Sequence, residues 1–235
     1  MRFKIVFSIY FAILVSCQTP IIIQNNKSDY STERLNKQAL INAKNQDNKN
    51  RFVKVDTSYN PLHNRVVSGH YMELNKKNNE RTYISWGDTY ATKKVLKSGD
   101  SIIRYSHFYG NGNLKSSYNK FVGKINIDEN DNLIYNAGYN VVIGKLYDYD
   151  EEGNLKNIYD YDFTFSIFDL RNFLEKKYVT DANKVAIRQF RDFETQEILW
   201  EVVYEDDSKN YPQLLIIDSK TGKVLEKKDY IVKEM

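Results

Sequence analysis

The chain has 235 residues, and its 41% hydrophobic and 14% aromatic content suffices for a packed core in one large or two small domains. Its formal net charge is +3, but two basic residues, Arg2 and Lys4, lie in a segment that we expect to be removed. The remaining chain is then nearly neutral without a basic stripe, which argues against nucleic-acid binding. The single cysteine, Cys17, excludes internal disulfides and cysteine metal clusters.

The N-terminus has the pattern of an export signal. Arg2 and Lys4 precede an apolar stretch, Ile5–Val15, that is broken only by Ser8. This stretch is too short to span a bilayer, which needs about 20 apolar residues. Its length matches the apolar region of a signal peptide, which we therefore place at residues 1–16.

The signal ends in Leu14-Val15-Ser16-Cys17, which resembles the lipobox of bacterial lipoproteins. The resemblance implies a diacylglyceryl group on the Cys17 sulfur, cleavage before Cys17, and acylation of the new amino group with a fatty acid such as palmitate. The alternatives are an uncleaved hydrophobic anchor and an ordinary cleaved signal with an incidental cysteine. No acidic run follows Cys17, so we expect a lipoprotein of the bacterial cell envelope that faces the periplasm, with the outer membrane favoured over the inner.

Residues 17–50 are expected to form the lipidated cysteine and a tether with at most one short helix. The first part, Gln18–Tyr30, is polar apart from its isoleucines and has no clear period. Thr32–Lys44 is rich in helix formers, and Ser31 is a candidate N-cap. Its apolar stripe is thin, so we expect any helix here to depend on contacts with the folded body.

From Arg51 onward, apolar and polar residues alternate in short runs, which predicts antiparallel hairpins rather than alternating helices and strands. The predicted strands include the run around Val53 and Val55, then Arg65–Leu74, Arg81–Trp86, Ala91–Leu96 and Ser101–Tyr109.

The alternation is clearest within Ser101–Phe121. The turn Gly110-Asn111-Gly112-Asn113 divides this segment, and glycine and asparagine both tolerate the positive φ that such a turn needs. The residues expected to share one face are Ile103, Tyr105, His107 and Tyr109 before the turn, followed after it by Leu114, Ser116 and Tyr118.

One short phrase recurs between Gly99 and Asp162. It runs from Gly123-Lys124-Ile125 to Asn132-Leu133 and again from Gly144-Lys145-Leu146 to Asn154-Leu155, after a looser copy that ends at Asn113-Leu114. The Asn-Leu pairs are 19 and then 22 residues apart, which is enough for two short strands and their turns.

This phrase resembles the MORN repeats, in the variant of bacterial envelope and antitoxin-like proteins. The run from Tyr147 to Leu155 is also similar to the tyrosine-aspartate repeats of large secreted toxins, although Asp131 replaces the turn glycine of the second copy. The resemblance implies successive hairpins in an extended sheet and a scaffolding or binding role, and it carries no catalytic residue. We expect a hairpin-repeat domain at residues 51–162.

After Asp162 the pattern changes to a helix followed by three or four strands. Ser166–Tyr178 has apolar residues at helical spacing, with Ser166 as its candidate cap and Asp169 in the first turn. The predicted strands are Lys184–Phe190, Ile198–Tyr204, Gln213–Asp218 and Lys223–Val232.

The helix, the strand Trp200–Tyr204 and the segments Leu214–Asp218 and Thr221–Leu225 together resemble the PepSY-type domains of bacterial envelopes. That resemblance implies binding or inhibition of other proteins by a second domain at residues 163–235. The fold class that we expect is α+β, dominated by antiparallel sheet.

The three histidines, His63, His70 and His107, lie in unrelated segments, and neither an HExxH nor a GxSxG string occurs. We therefore expect no catalytic residue, although a triad assembled in three dimensions is an alternative. We interpret all three histidines as ordinary strand residues.

An acidic run partly matches a calcium-binding loop. Asp148, Asp150, Glu152 and Gly153 have suitable spacing, but Tyr159 stands where a bidentate glutamate is required. A solvated hairpin turn is the favoured interpretation, with calcium as the alternative. We expect no metal and no cofactor.

The function that we expect is a lipid-anchored, non-enzymatic protein-binding module, in a narrower form an immunity-like lipoprotein that neutralises a toxin at the membrane. One alternative is a carbohydrate or cell-wall binding module; another is an unrecognised envelope hydrolase. The sequence does not specify an oligomeric state. The tyrosines that could stack on sugars, or pack across strands, are Tyr105 and Tyr109, and Tyr147, Tyr149, Tyr159 and Tyr161.

Overall fold

The computed structural model describes residues 33–127, 133–134, 139, 141–178, 181, 184–192, 195 and 197–231. Within these ranges the chain has two helices, α1 Lys37–Ile41 and α2 Ile167–Lys177. The strands within the same ranges are β1 Gln46–Asp47, β2 Arg51–Asn60, β3 Arg65–Asn75, β4 Glu80–Trp86, β5 Tyr90–Lys97, β6 Ile102–Tyr109, β7 Leu114–Phe121, β8 Asn126–Ile127, β9 Leu133–Ile134, β10 Val141–Tyr149, β11 Leu155–Asp160, β12 Val185–Arg191, β13 Ile198–Tyr204, β14 Gln213–Asp218 and β15 Val224–Asp229.

Nine of these strands form one antiparallel sheet in the order β1-β2-β3-β4-β5-β6-β7-β10-β11. Strands that follow each other in the chain are neighbours in the sheet from β1 to β7, because short turns connect them. The four C-terminal strands form a second antiparallel sheet in the order β12-β13-β14-β15. The predicted α+β class with mostly antiparallel sheet is therefore confirmed.

The first and third copies of the repeated phrase close hairpins of the large sheet. Gly112 and Gly153 sit in the two turns with φ values of +86° and +89°. In the matching position after each glycine, Asn113 and Asn154 accept a backbone hydrogen bond across the turn, from Tyr109 and Asp150. Glycine suits both turn positions because it adopts a positive φ without a steric penalty.

The middle copy differs from the other two. β8 pairs with β9 in a separate two-stranded sheet, and β7 pairs directly with β10. The turn Asp128–Asn132, which this copy predicts, lies outside the described residues. The array of hairpins in the large sheet is therefore interrupted at its centre.

A bulge changes the predicted face of one residue after the Gly-Asn turn. His107 pairs with Ser116, but Phe108 pairs with Leu114, which leaves Lys115 as an extra residue on β7. The prediction that Leu114 shares a face with Ser116 is therefore wrong. The extra residue turns Leu114 to the opposite face, where it packs with Phe108.

One face of the large sheet is covered by residues 33–43, which we call the N-terminal strap. Leu35 donates its backbone N–H to the Gly112 carbonyl at 2.9 Å, and the Lys37 ammonium donates to the Gly87 carbonyl at 2.8 Å. The short helix α1 begins at Lys37 and is capped by Asn36 rather than by Ser31, which lies outside the described residues. The apolar residues of the strap pack against a cluster that includes Trp86 and Phe108, namely Leu35, Leu40, Ile41 and Ala43.

The predicted helix after Asp162 is confirmed by α2, which packs on the second sheet. Ser166 caps the helix: its hydroxyl accepts from the Asp169 N–H, while the Asp169 carboxylate accepts from the Ser166 N–H at 2.9 Å. The buried residues of α2 are Ile167, Leu170 and Leu174.

The two sheets share one hydrophobic core. Phe121 and Val141 of the large sheet belong to the same buried cluster as Leu170 of α2 and Trp200 of the second sheet. In addition, the Gln189 side-chain amide donates to the Val142 carbonyl at 3.1 Å. The core therefore continues across the boundary that the sequence suggests between residues 162 and 163.

Candidate binding surface

Cross-strand pairing places a row of six side chains on one face of the large sheet, opposite the strap. Residues that pair directly on neighbouring strands point to the same face. His107 and Lys120 lie on that face beside the row, because they alternate with Tyr105 and Tyr118 along β6 and β7. Together these residues form what we call the tyrosine–lysine face. The row runs from β2 to β7 as Lys54, Met72, Tyr83, Lys94, Tyr105 and Tyr118.

Three rings stack at the centre of the tyrosine–lysine face. Tyr105 and Tyr118 are nearly parallel, with centroids 5.3 Å apart, and the His107 ring lies 5.6 Å from that of Tyr118. Tyr105 is 7% exposed and belongs to a buried cluster with Ile103 and Ile125, while Tyr118 packs against that cluster. This packing makes the centre of the face a rigid base rather than a set of free side chains.

His107 is held at both ring nitrogens. Its Nδ1 lies 3.1 Å from the Thr92 hydroxyl, and its Nε2 lies 3.0 Å from the Tyr118 hydroxyl. Burial lowers the pKa of His107, and the positive charges of Lys115, Lys94 and Lys120 lower that pKa further. A neutral imidazole has one donor and one acceptor, so it can satisfy both hydroxyls at once.

Two lysines flank the ring of Tyr105. The Nζ atoms of Lys94 and Lys120 lie 5.5 and 5.7 Å from its centroid, within the range of a cation–π contact. Burial lowers the pKa of Lys120, and the charge of Lys94 adds to this effect. Neither lysine forms an ion pair with a carboxylate of the described residues, where the paired lysines are Lys54, Lys76, Lys93, Lys184, Lys220 and Lys228.

The carboxylates that pairing puts on the same face lie at its two sides. Asp56 pairs with His70 on β3, and Asp148 pairs with Ser116 on β7. Asp56 is 3.9 Å from the Lys54 ammonium at the end of the row. Among the described residues, the charged side chains at the centre of the tyrosine–lysine face are therefore positive, and the negative groups lie near its margins.

The opposite face contains a shallow groove of about 400 Å³ next to the strap. Glu33 forms an ion pair with Lys93 there and accepts a hydrogen bond from the Ser106 hydroxyl at 3.2 Å. Arg104 and Glu80 form a second ion pair at 3.0 Å. Because these charges are already paired within the chain, the groove is the weaker candidate for a charged ligand.

Arg51, Tyr71 and Glu73 form a closed network between β2 and β3. Arg51 donates to both carboxylate oxygens of Glu73, at 2.6 and 2.9 Å, and the Tyr71 hydroxyl donates to Glu73 at 2.7 Å. Burial raises the pKa of Tyr71 to about 12, and the Glu73 carboxylate contributes to the rise. Each side chain satisfies the others, so we assign this network to stability rather than to binding.

The acidic turn is occupied by its own hydrogen bonds. The Asp150 carboxylate accepts from the Asn154 backbone at 2.7 Å and from the Asn154 side chain at 3.1 Å. These bonds hold the pKa of Asp150 below its usual value. Across the part of the chain that the structure describes, no group of three or more His, Cys, Asp or Glu side chains is arranged to hold a metal ion.

The other candidate site residues from the sequence analysis do not form a common site among the described residues. His63 lies in the β2–β3 turn and His70 on β3, and β4 and β5 separate His70 from His107. Cys17 lies outside the described residues. Of the tyrosines proposed for sugar stacking, Tyr105, Tyr149 and Tyr161 are buried, which counts against that use of their rings.

Sequence reasoning missed Lys94, Lys120 and Tyr118 as a group. The alternation within the predicted strand Ala91–Leu96 indicates which residues share a face with Lys94. It does not indicate which residues of the neighbouring strands lie beside Lys94, because that depends on the register of strand pairing. The sequence predicts that a helix in the strap depends on contacts with the body, but its thin apolar stripe does not indicate which face of the sheet it covers.

Comparison with known proteins places the chain in no known group. No protein-family model matches it, and no curated protein matches it. A solved structure, the C-terminal domain of YpeB from Bacillus megaterium, is similar with 13% identity over 83% of this chain and 95% of that chain, at a TM-score of 0.22. A likeness at this score carries no inference about the chain. Among the described residues, no helix has the length and apolar character needed to span a membrane.

Proposed function

We propose that the protein is a lipid-anchored, non-enzymatic component of the bacterial cell envelope that binds another protein through the tyrosine–lysine face. The observation that carries the proposal is the row of tyrosines and lysines with Lys94 and Lys120 lacking carboxylate partners among the described residues. Tyrosine is enriched at protein interfaces, where it contributes a large apolar area together with a polar hydroxyl.

The shape of the surface favours a macromolecular partner. Small-molecule sites are usually concave and enclose most of the ligand. The tyrosine–lysine face instead spreads over six neighbouring strands, from Lys54 on β2 to Tyr118 on β7. A partner that covers such an area is more easily a protein than a small metabolite. The narrower proposal is an immunity-like role, in which the partner is a toxin that acts at the membrane.

The anchor supports the same proposal by placing the binding surface near a membrane. Cys17 carries the lipobox resemblance, and Glu33, where the strap begins, follows it by 16 positions along the chain. An extended tether of this length spans about 55 Å. The body would thus reach partners in or close to the membrane while it stays attached.

The binding role is tested by photo-crosslinking from the face. The full-length protein carries a benzophenone amino acid in place of Lys54 or Met72, and irradiation is performed in the native envelope. We expect a discrete crosslinked product from these positions and none from Tyr211, which is 53% exposed in the loop between β13 and β14. Equal products from all three positions, or none from the face, would contradict the proposal.

The anchor is tested by Cys17→Ala. We expect this variant to remain unprocessed and to incorporate no radioactive palmitate, because the sulfur that receives the lipid is missing. The matched control is Ser8→Ala, which changes the signal without removing the lipobox and should be labelled normally. Unchanged labelling of Cys17→Ala would refute the lipobox assignment.

A further inference from the structure

The β2–β3 hairpin extends beyond the neighbouring β4–β5 hairpin at one end of the large sheet. The last pair between β3 and β4 is Gly69 with Trp86. Past this level the β4–β5 hairpin contains four residues, 87–90, whereas the β2–β3 hairpin contains eleven, 58–68. The Arg65 guanidinium reaches back to the Asp88 carboxylate of the β4–β5 turn at 3.0 Å. Residues 59–65, which we call the hairpin tip, therefore project from the end of the sheet.

An apolar side chain stands at the apex of the hairpin tip. Leu62 is 90% exposed, the largest exposed fraction among the large hydrophobic side chains of the described residues. Tyr59 is 56% exposed, and Pro61 is exposed as well. Moving such surface out of water is favourable, so the tip gains free energy from any apolar environment that it enters.

Hydrogen bonds within the hairpin tip hold Leu62 outward. The Leu62 N–H donates to the Asn60 Oδ1 at 2.9 Å, and the Asn64 N–H donates to the Pro61 carbonyl at 3.4 Å. The Tyr59 hydroxyl donates to the Asn64 Oδ1. Proline fixes its own φ, and Asn64 has a φ of +49°, which asparagine tolerates. The tip is therefore preorganised, so burying its apex costs little conformational entropy.

The charges and the order of side chains along the hairpin match the interface of a bilayer. No acidic residue occurs between Asp56 and Glu73. Leu62 lies at the apex, and Arg65 and Tyr59 follow toward the sheet. An element that enters a membrane interface presents its apolar side chain to the acyl chains, with tyrosine and arginine at the level of the headgroups. A protein pocket for one leucine requires no such order, so the observations favour a lipid surface.

The proposed tether is long enough for the lipid anchor and the hairpin tip to reach the same membrane. Glu33 pairs with Lys93 on β5, which lies two strands from β3 in the sheet. A strand spacing of about 4.8 Å and a rise of about 3.3 Å per residue place the tip about 25 Å from this ion pair. An extended segment between Cys17 and Glu33 would span about 55 Å. The anchor and the tip can therefore contact one membrane together.

We infer that the hairpin tip inserts Leu62 into the surface of a lipid bilayer, with Tyr59 and Arg65 at the level of the headgroups. The inference rests on the lipid anchor of the proposed function, because the anchor keeps the tip close to a membrane. It goes beyond that function by giving the body a second membrane contact, which restricts its orientation on the bilayer. A single apolar side chain binds a bilayer weakly, so the tip acts in addition to the anchor.

The test uses the full-length lipidated protein in phosphatidylethanolamine and phosphatidylglycerol vesicles whose acyl chains carry bromine. Leu62→Trp places a fluorescent probe at the apex, while the native Trp86 and Trp200 are 3% and 1% exposed and give a background that the wild type measures. We expect the bromine to quench the added emission of Leu62→Trp by about half or more, because interfacial apolar groups lie about 5–10 Å into the bilayer. The matched control is Leu225→Trp, which replaces a leucine of β15 that is 50% exposed and should not be quenched.

Two results would overturn the inference: no quenching of Leu62→Trp, or equal quenching of Leu62→Trp and Leu225→Trp. A benzophenone amino acid in place of Leu62, irradiated in the native envelope, should give lipid adducts. A discrete protein adduct in their place would assign the tip to a protein partner and overturn the lipid surface.

Flotation of the wild-type protein with the same vesicles separates failure of the inference from failure of the anchor. If the wild type floats and Leu62→Trp is not quenched, the anchor is supported and the inference alone fails. If the wild type does not float, the anchor of the proposed function fails and the inference fails with it.

Discussion

Gly112 is the residue at which the strap meets the large sheet. Its φ is +86°, and its carbonyl accepts the Leu35 N–H at 2.9 Å. A Cβ at this position would also collide with the Leu35 carbonyl oxygen. Two independent demands, the turn and the close approach of the strap, therefore apply to the same glycine.

We predict that Gly112→Ala lowers the free energy of unfolding by about 3 kcal/mol or more, because backbone strain and the collision add. Gly99→Ala is the matched control, since Gly99 has a φ of +87° with open space around its missing Cβ. That variant should lose about 1–2 kcal/mol from backbone strain alone. Urea unfolding curves measure both losses. Equal losses would show that the strap does not restrict this position.

His107 should make stability dependent on pH. Its pKa is lowered in the folded protein, so the unfolded state binds more protons as the pH falls below about 6.5. The stability that His107 supports is thus complete above this pH and is lost on acidification. We predict that the free energy of unfolding falls less between about pH 7.5 and about pH 5.5 in His107→Gln than in the wild type.

Urea unfolding at the two pH values measures the difference. The control is His63→Gln, which removes an exposed histidine from the β2–β3 turn and should keep the wild-type dependence. An identical dependence in wild type and His107→Gln would contradict the lowered pKa.

At the scale of elements, α2 begins with a complete capping box. Ser166 and Asp169 each accept a backbone hydrogen bond from the other, which satisfies two N–H groups at the start of the helix. The helix contributes Leu170 to the core that the two sheets share. The first turn of α2 therefore stabilises the shared core as well as the helix itself.

We predict that Ser166→Ala lowers the free energy of unfolding by about 1 kcal/mol, because the Asp169 N–H loses its acceptor. Ser166→Thr keeps a hydroxyl at the cap and should lose much less. Urea unfolding of both variants measures the difference, and equal stability of Ser166→Ala and the wild type would show that the cap does not contribute.

The strands also show how much of the fold can be predicted from the sequence. Ile198–Tyr204 and Gln213–Asp218 were predicted with the bounds that the structure has, because alternation and turn residues mark both ends. The candidate surface was not predictable in the same way. It depends on pairing across five hairpins, and one extra residue such as Lys115 changes the face of its neighbour. Nor does the sequence indicate that β8 and β9 stay out of the large sheet, since their copy of the repeat resembles the others.

At the scale of the whole molecule, the shared core should make the two sheets unfold together. Phe121, Val141 and Trp200 lie in one buried cluster that also includes α2. The two tryptophans report on different sheets, because Trp86 is on β4 and Trp200 on β13. The chain thus contains its own pair of probes for cooperativity.

We predict that Trp86→Phe and Trp200→Phe, each with a single remaining tryptophan, show unfolding midpoints that coincide with those measured by circular dichroism of the same variant. Adding Phe121→Ala to either variant should lower the free energy of unfolding by about 3–5 kcal/mol. The fluorescence and dichroism midpoints should then shift together. If Phe121→Ala moves only the Trp86 signal, the sheets are independent units and the boundary near residue 162 is a true domain boundary.

The strap has a mechanical consequence. Tension applied at Glu33 enters the rest of the described body through the strap, whose first attachments include the Glu33–Lys93 ion pair and the Leu35–Gly112 hydrogen bond. Pulling in that direction loads these few bonds one after another, as in peeling, instead of loading the long ladders of the sheet in parallel. The strap would detach before the sheet yields, and Trp86 beneath it would report the event as a change in its fluorescence.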